Sequence, residues 1–173
     1  MRTSDWRLFV YLAAGIGLII SIYAAAETLN PALQSLCSVN GFISCAKVAT
    51  SGRTTTFGVP DWLIGVLGFV ALLAAAAWAE QRRDLFATTP LFVLAVGAVA
   101  FSAYFAYVEL ALVGALCLVC FAAYGAGVLT FVGATVLFGR AYRRAHRPPG
   151  PKGRTAAPEN SGDGAVARPT RPG

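Results

Sequence analysis

The chain has 173 residues, of which 57% are hydrophobic and only 13% are charged. Because a soluble domain carries about 25% charged residues, this composition excludes an ordinary soluble protein and indicates a membrane protein. The net charge of +6 does not point to a nucleic-acid partner, because the basic residues lie between apolar segments and near the C-terminus instead of forming one patch.

Four apolar segments follow one another along the chain, at residues 8–26, 62–79, 91–110 and 115–138. Each is near the ~20 residues that a helix needs to cross a ~30 Å hydrocarbon core. The first segment also has the length of a signal peptide, but it leads directly into a loop with two cysteines, and we interpret it as a membrane helix. We therefore predict an all-α membrane protein, a four-transmembrane-helix bundle with a cap loop at 27–61.

Lysine and arginine residues decide the predicted orientation. They concentrate at the N-terminus, in the connection at 80–84 and after residue 139, whereas the cap loop contains two. By the positive-inside rule, both termini are cytoplasmic and the cap loop is extracytoplasmic, in a chain that crosses the inner or plasma membrane four times.

We assign residues 1–140 to the membrane domain. Residues 141–173 are basic and rich in Pro, Gly and polar residues, and they predict a disordered cytoplasmic tail.

All four cysteines fall on the predicted extracytoplasmic side, where disulfides persist. Cys37 and Cys45 lie in the cap loop with seven residues between them, and Cys117 and Cys120 form a C-x-x-C pair at the start of the fourth helix. A disulfide across C-x-x-C closes a small, strained ring, and a helix N-terminus favours the thiolate. Such pairs are typical of labile, catalytic disulfides.

Two other interpretations of the cysteines are weaker. The four could form two structural disulfides in a non-catalytic membrane protein, but the C-x-x-C spacing argues against this. A zinc site would need all four thiolates, because the single histidine, His146, lies on the opposite side of the membrane. We therefore expect no metal.

Two cysteine pairs on one face suggest an electron relay. A pair in a loop can meet a soluble partner, and a pair at membrane depth can meet an oxidant dissolved in the lipid. Thiol–disulfide exchange between the pairs moves two electrons at a time. A quinone accepts two electrons and lives in the bilayer, so a quinone is the expected oxidant.

Four stretches of this sequence resemble the vitamin K epoxide reductase family, in its bacterial form. They are the loop pair in "CSVNGFISC", the following "SGRTTTFGVPDWLIG", the approach "YFAYVELALVGALCLVC", and the tyrosine in "CLVCFAAY". The resemblance covers about residues 8–140. The ordered combination of four helices, a spaced cysteine pair and then C-x-x-C is specific, whereas C-x-x-C alone is not.

The resemblance implies a helical bundle around a quinone, in which the C-x-x-C pair reduces the quinone and the loop pair receives electrons from a thioredoxin-like protein. By position, Cys120 contacts the quinone, Cys117 exchanges with the loop through a Cys45–Cys117 disulfide, and Cys37 meets the partner. At rest, Cys117 is then paired in a disulfide either with Cys45 or with Cys120. Tyr124, one turn beyond Cys120, hydrogen-bonds the quinone, or else anchors the helix at the interface.

Four further residues are candidates for the quinone site. Asp61 stands where vertebrate members of the family have an asparagine that binds the quinone, and it is also suited to cap the second helix after Pro60. Glu109 is an ionisable residue in a membrane segment, a position that is functional by default, although a side chain at a helix end can simply reach water. Trp62 and Phe57 are candidates to line the site and to pack the cap on the bundle.

The sequence thus predicts a membrane thiol–quinone oxidoreductase that takes electrons from a periplasmic thioredoxin-like protein and supports disulfide formation. The quinone is of the menaquinone, ubiquinone or vitamin K type. A quinone or vitamin K epoxide reductase in quinone recycling is the alternative, and the aspartate at position 61 argues against epoxide as the substrate.

Overall fold

A computed structural model of the chain describes residues 3–30, 32–33, 40–51, 55–56, 58–82 and 84–147. The helices in these ranges are α1 (Thr3–Leu29), the short α2 (Cys45–Ala49), α3 (Asp61–Arg82), α4 (Leu85–Tyr107) and α5 (Leu118–Ala145). Four of them, α1, α3, α4 and α5, are long and apolar enough to span a membrane, α4 together with the π-helical turn Val108–Val113 that continues it. The predicted helical membrane fold is confirmed.

The long helices extend beyond the predicted apolar segments at both ends of the bundle. Helix α4 begins six residues early because the Asp84 side chain accepts a hydrogen bond from the Ala87 N–H at 2.8 Å and caps it. Pro90 therefore lies inside α4 instead of before it. Helix α5 continues to Ala145, past the predicted end at 138 and the predicted start of the tail at 141. Arginine is a good helix former, and positive charge is favourable at a helix C-terminus.

The four long helices close into a ring in which α1 packs on α3 and α5, and α4 packs on the same two helices. One end of the ring is solid, with a core of small and aliphatic residues: Val10, Ala14, Leu72, Ala76, Leu91, Ala95, Ala134 and Leu137. Small residues let membrane helices approach closely. Large apolar side chains point outward along α1, among them Leu8, Leu12, Ile16 and Ile19, as an integral membrane protein requires.

The cap loop carries the short helix α2 and a two-stranded hairpin. Strands β1 (Thr55–Thr56) and β2 (Val59–Pro60) pair antiparallel. The turn between them passes through Gly58, whose φ of 80° is in the region that glycine adopts without strain. Strand β2 leads directly into α3, so the hairpin holds the cap over one end of the ring.

A second connection ties the cap to the start of α5. Gly114, with φ of 63°, ends the π-helical turn in the left-handed region. The chain then runs extended beside the cap, where the Leu116 N–H donates to the Phe42 carbonyl at 2.7 Å and the Ser44 N–H donates to the Leu116 carbonyl at 3.1 Å. This parallel bridge, between Ile43 and Leu116, brings the first residue of α2 next to the first turn of α5.

Candidate redox site

Two cysteines that are far apart in sequence meet at this bridge. Cys45 is the first residue of α2, and Cys117 is the N-cap of α5. Their sulfur atoms are 3.5 Å apart, and each residue is only 4% exposed. Thiol–disulfide exchange requires one sulfur to approach another directly, and these two sulfurs are already in contact.

The oxidation states of these cysteines differ. Cys45 is disulfide-bonded, whereas Cys117 and Cys120 are free thiols. The structure therefore holds neither of the two pairings considered from the sequence, Cys117–Cys120 or Cys45–Cys117. Cys37, the other cysteine of the cap loop, lies outside the described residues.

The C-x-x-C pair forms the first turn of α5. The Cys117 sulfur accepts a hydrogen bond from the Cys120 N–H at 3.3 Å, which is the position of a helix N-cap side chain. Cys120 is half-buried and lines a cavity below the cap. Cys117 lines the same cavity, and its sulfur also contacts the Cys45 sulfur of the cap.

Glu109, on the π-helical turn, accepts hydrogen bonds from both Cys117 and Tyr124. One carboxylate oxygen accepts the Cys117 N–H at 3.0 Å, and the other accepts the Tyr124 hydroxyl at 2.8 Å. The residue is 3% exposed. Of the two possibilities that the sequence left open, the structure gives a buried carboxylate and not one that reaches water.

The cavity has a volume of about 920 Å³ and lies between the cap and the solid core, with walls from α1, α2, α3, α4 and α5. Ligand sites typically have about 300–1,000 Å³ and are mostly apolar with a few polar groups. The predicted site residues that line the cavity are Cys45, Asp61, Trp62, Glu109, Cys117, Cys120 and Tyr124. Phe57 lies outside the described residues.

Asp61 lies close to both positions that its sequence context suggested. It is the first residue of α3, where a negative charge is favourable to the helix dipole, and it lines the cavity. Trp62, the next residue, lines the cavity as well. The structure thus places Asp61 one residue beyond the predicted N-cap position, and its contact with a quinone stays a prediction.

One ionisable residue of the cavity was missed from the sequence. Glu27 is 5% exposed and lines the cavity from α1. The predicted first helix ended at residue 26, which left Glu27 in the loop, whereas α1 continues to Leu29. The rule that an ionisable residue within a membrane helix is a functional candidate would have identified it, had the helix been extended by one turn.

Among the described residues, no group of three or more His, Cys, Asp or Glu side chains is placed to hold a metal ion. The three described cysteine sulfurs instead lie at the boundary between the cap and an apolar cavity. This is a geometry for exchange chemistry with a hydrophobic substrate.

The comparison with known protein families agrees with this geometry. The family model described as the vitamin K epoxide reductase family matches residues 8–135. That range begins in α1, includes the cap and the cavity, and ends within α5. The chain therefore belongs to the vitamin K epoxide reductase family and is an integral membrane oxidoreductase.

Proposed function

We propose that this protein is a thiol–quinone oxidoreductase that passes electrons from an extracytoplasmic thioredoxin-like protein to a quinone and so supports disulfide formation. The observation that carries the proposal is the 3.5 Å contact between the Cys45 and Cys117 sulfurs at the edge of the cavity. The contact joins a cap cysteine to the C-x-x-C pair, and the pair adjoins a space suited to a quinone.

The electron transfer proceeds by exchange. A thioredoxin-like dithiol reduces the cap pair, Cys37 and Cys45, and is itself oxidised. The Cys45 thiolate then attacks Cys117 in a Cys117–Cys120 disulfide, which forms a Cys45–Cys117 bond and releases the Cys120 thiol. Cys37 attacks Cys45 and releases the Cys117 thiol. Cys45 is in a disulfide, and Cys117 and Cys120 are free thiols. This is the state that the scheme expects before the quinone is reduced.

The quinone is proposed to occupy the cavity with its ring near Cys120 and Tyr124. A volume of about 920 Å³ accommodates a quinone ring and the beginning of an isoprenoid chain. Menaquinone, ubiquinone and quinones of the vitamin K type all fit this description. Asp61 and Trp62 line the wall at the start of α3 and are proposed contacts of the same ring.

The cap is proposed to be extracytoplasmic, with both termini in the cytoplasm. The basic residues at the solid end of the bundle, including Arg7, Arg82 and Arg144, support this by the positive-inside rule. In this orientation a soluble partner reaches the cap, and the electrons move from the water side toward the membrane.

The proposal is tested by replacing each cysteine with alanine and using two electron donors. With a thioredoxin-like protein as the donor, we expect each of the four variants to lose quinone reduction. With dithiothreitol, which can reduce the C-x-x-C pair directly, we expect Cys45→Ala to retain quinone reduction and Cys120→Ala to lose it. Quinol formation by the purified full chain is measured by absorbance, and Thr135→Ala, on an exposed position of α5, is the control.

The same variants are then placed in a bacterial strain that lacks its own disulfide generator. Disulfide formation by Cys120→Ala would contradict the proposed route. Reduction of a quinone epoxide by the parent protein, with plain quinone inert, would favour the epoxide reductase alternative instead.

A further inference from the structure

We infer that Glu109 is a catalytic proton carrier, which takes the protons of the Cys117 and Cys120 thiols and passes them through the Tyr124 hydroxyl to the quinone oxygens. The inference rests on the proposed function and adds to it the route of the protons. Reduction of a quinone to a quinol requires two protons as well as two electrons, and both must reach the quinone in its site.

Glu109 contacts both the C-x-x-C pair and Tyr124. Its backbone carbonyl accepts the Ala115 N–H at 3.2 Å, which holds the turn before α5 against it. Its carboxylate accepts the Cys117 N–H at 3.0 Å and the Tyr124 hydroxyl at 2.8 Å. The Cys120 thiol interacts with the same carboxylate. A single side chain therefore touches the C-x-x-C pair on one side and the tyrosine on the other.

The position is also protected. Glu109 is 3% exposed and lines the cavity, so a proton that it holds is not lost to bulk water. Carboxylates within membrane segments are rare and mark proton relays and substrate pathways. A purely structural cap for α5 needs no carboxylate that also faces the cavity and a tyrosine hydroxyl.

The reaction balances without any other reactant. Cys117 and Cys120 lose two electrons and two protons as the bond between their sulfurs forms. The quinone gains two electrons and two protons. For each proton in turn, Glu109 accepts it from a thiol and gives it to the Tyr124 oxygen while Tyr124 gives its own hydroxyl hydrogen to a quinone oxygen. Glu109 and Tyr124 end the cycle as they began it.

The molecule contains a matched pair of residues at its other end. The Tyr11 hydroxyl donates to Glu80 at 3.1 Å, near the end of α3 that is remote from the cap. This pair has the same two side chains and the same bond, but it does not line the cavity that holds the cysteines. Glu80→Gln and Tyr11→Phe are therefore controls for loss of a tyrosine–carboxylate bond in this bundle.

The test is single-turnover quinol formation by the full chain in detergent, after reduction with dithiothreitol and removal of the excess. The variants are Glu109→Gln, Glu109→Asp, Tyr124→Phe and the double variant Glu109→Gln/Tyr124→Phe, with menadione and a short-chain ubiquinone as probes. Glutamine keeps the size of Glu109 but cannot carry a proton. We expect Glu109→Gln to slow the maximal rate about 100-fold, the usual contribution of an acid–base group. Aspartate, which keeps the carboxylate, should recover part of that rate.

Two further readouts separate a proton carrier from a structural residue. The half-saturating quinone concentration and the rate at which dithiothreitol reduces the oxidised pair should stay within about three-fold of the parent. Because Glu109 and Tyr124 act in series, the double variant should be no slower than the slower single variant. Both control variants should keep the parental rate.

A rate for Glu109→Gln within about three-fold of the parent would overturn the inference, as would a double variant that multiplies the two single losses. If Glu109→Gln does not fold, Glu109→Asp decides: a slower maximal rate at an unchanged half-saturating concentration supports the inference, and an unchanged rate overturns it. A parent protein that reduces no quinone would instead refute the proposed function, and the inference with it.

Discussion

At the scale of single residues, the three described cysteines differ in their contacts. Cys45 and Cys117 are both at helix N-termini and both buried, with their sulfurs 3.5 Å apart. Cys120 is one helical turn further along α5 and lines the cavity. In the proposed function, Cys117 therefore exchanges with the cap, and Cys120 contacts the substrate.

This division predicts which disulfide forms when only one cap cysteine and one helix cysteine remain. In a Cys37→Ser/Cys120→Ser protein, mild oxidation should close Cys45–Cys117 rapidly, because the two sulfurs are already in contact. Loss of free thiols, followed by alkylation and mass spectrometry, measures the rate. In the matched Cys37→Ser/Cys117→Ser protein, closure of Cys45–Cys120 should be slower by at least about ten-fold, as expected when exchange depends on access between sulfurs. The reverse order would contradict the assignment.

At the scale of secondary structure elements, the site depends on how closely the helices approach. Gly133 of α5 lies against α1, and a Cβ at this position would overlap with the Val10 side chain. Val10 is fully buried and cannot move aside. Gly139, two turns further along α5, has no atom within 4 Å of the same hypothetical Cβ. The two glycines of one helix are therefore under different constraints.

Alanine at the two positions should change stability in opposite directions. Gly133→Ala should lower the free energy of unfolding by about 1–3 kcal/mol, the usual cost of overpacking a core. Gly139→Ala should raise it by up to about 1 kcal/mol, because alanine loses less backbone freedom than glycine on forming a helix. Reversible unfolding of the purified protein in mixed detergent measures both. Equal effects would show that α1 and α5 are not in close contact at Gly133.

At the scale of the whole molecule, the bundle is solid at one end and hollow at the other. The solid end is filled by small residues such as Ala14 and Ala134, and residues of the cap line the cavity at the hollow end. The outer surface of the ring is apolar along α1, so the cavity is surrounded by helices that face lipid. In the proposed function, a hydrophobic substrate and a soluble partner thus approach the same cysteines from different phases.

The predicted orientation can be read from reporter fusions. A fluorescent protein that matures only in the cytoplasm should be bright when it is fused after Arg147. The same reporter fused after Gly114, between α4 and α5, should be dark, because the positive-inside rule puts that connection outside. Fluorescence per unit of expressed protein is the measurement, and the opposite pattern would invert the proposed topology.

The sequence by itself determined the four membrane helices, the two cysteine pairs and the family, because hydropathy and residue spacing are local properties that need no knowledge of packing. It misjudged where helices end, as at Pro90 and Ala145, because capping and helix propensity continue a helix beyond its apolar part. Only the tertiary structure decided that Cys45 touches Cys117 and that Glu109 is buried between Cys117 and Tyr124. The partners in these three contacts are separated by 72, 8 and 15 positions along the chain. They meet because the backbone bridge at Ile43 and Leu116 and the turn at Gly114 bring their segments together, and no periodic pattern in the sequence predicts this.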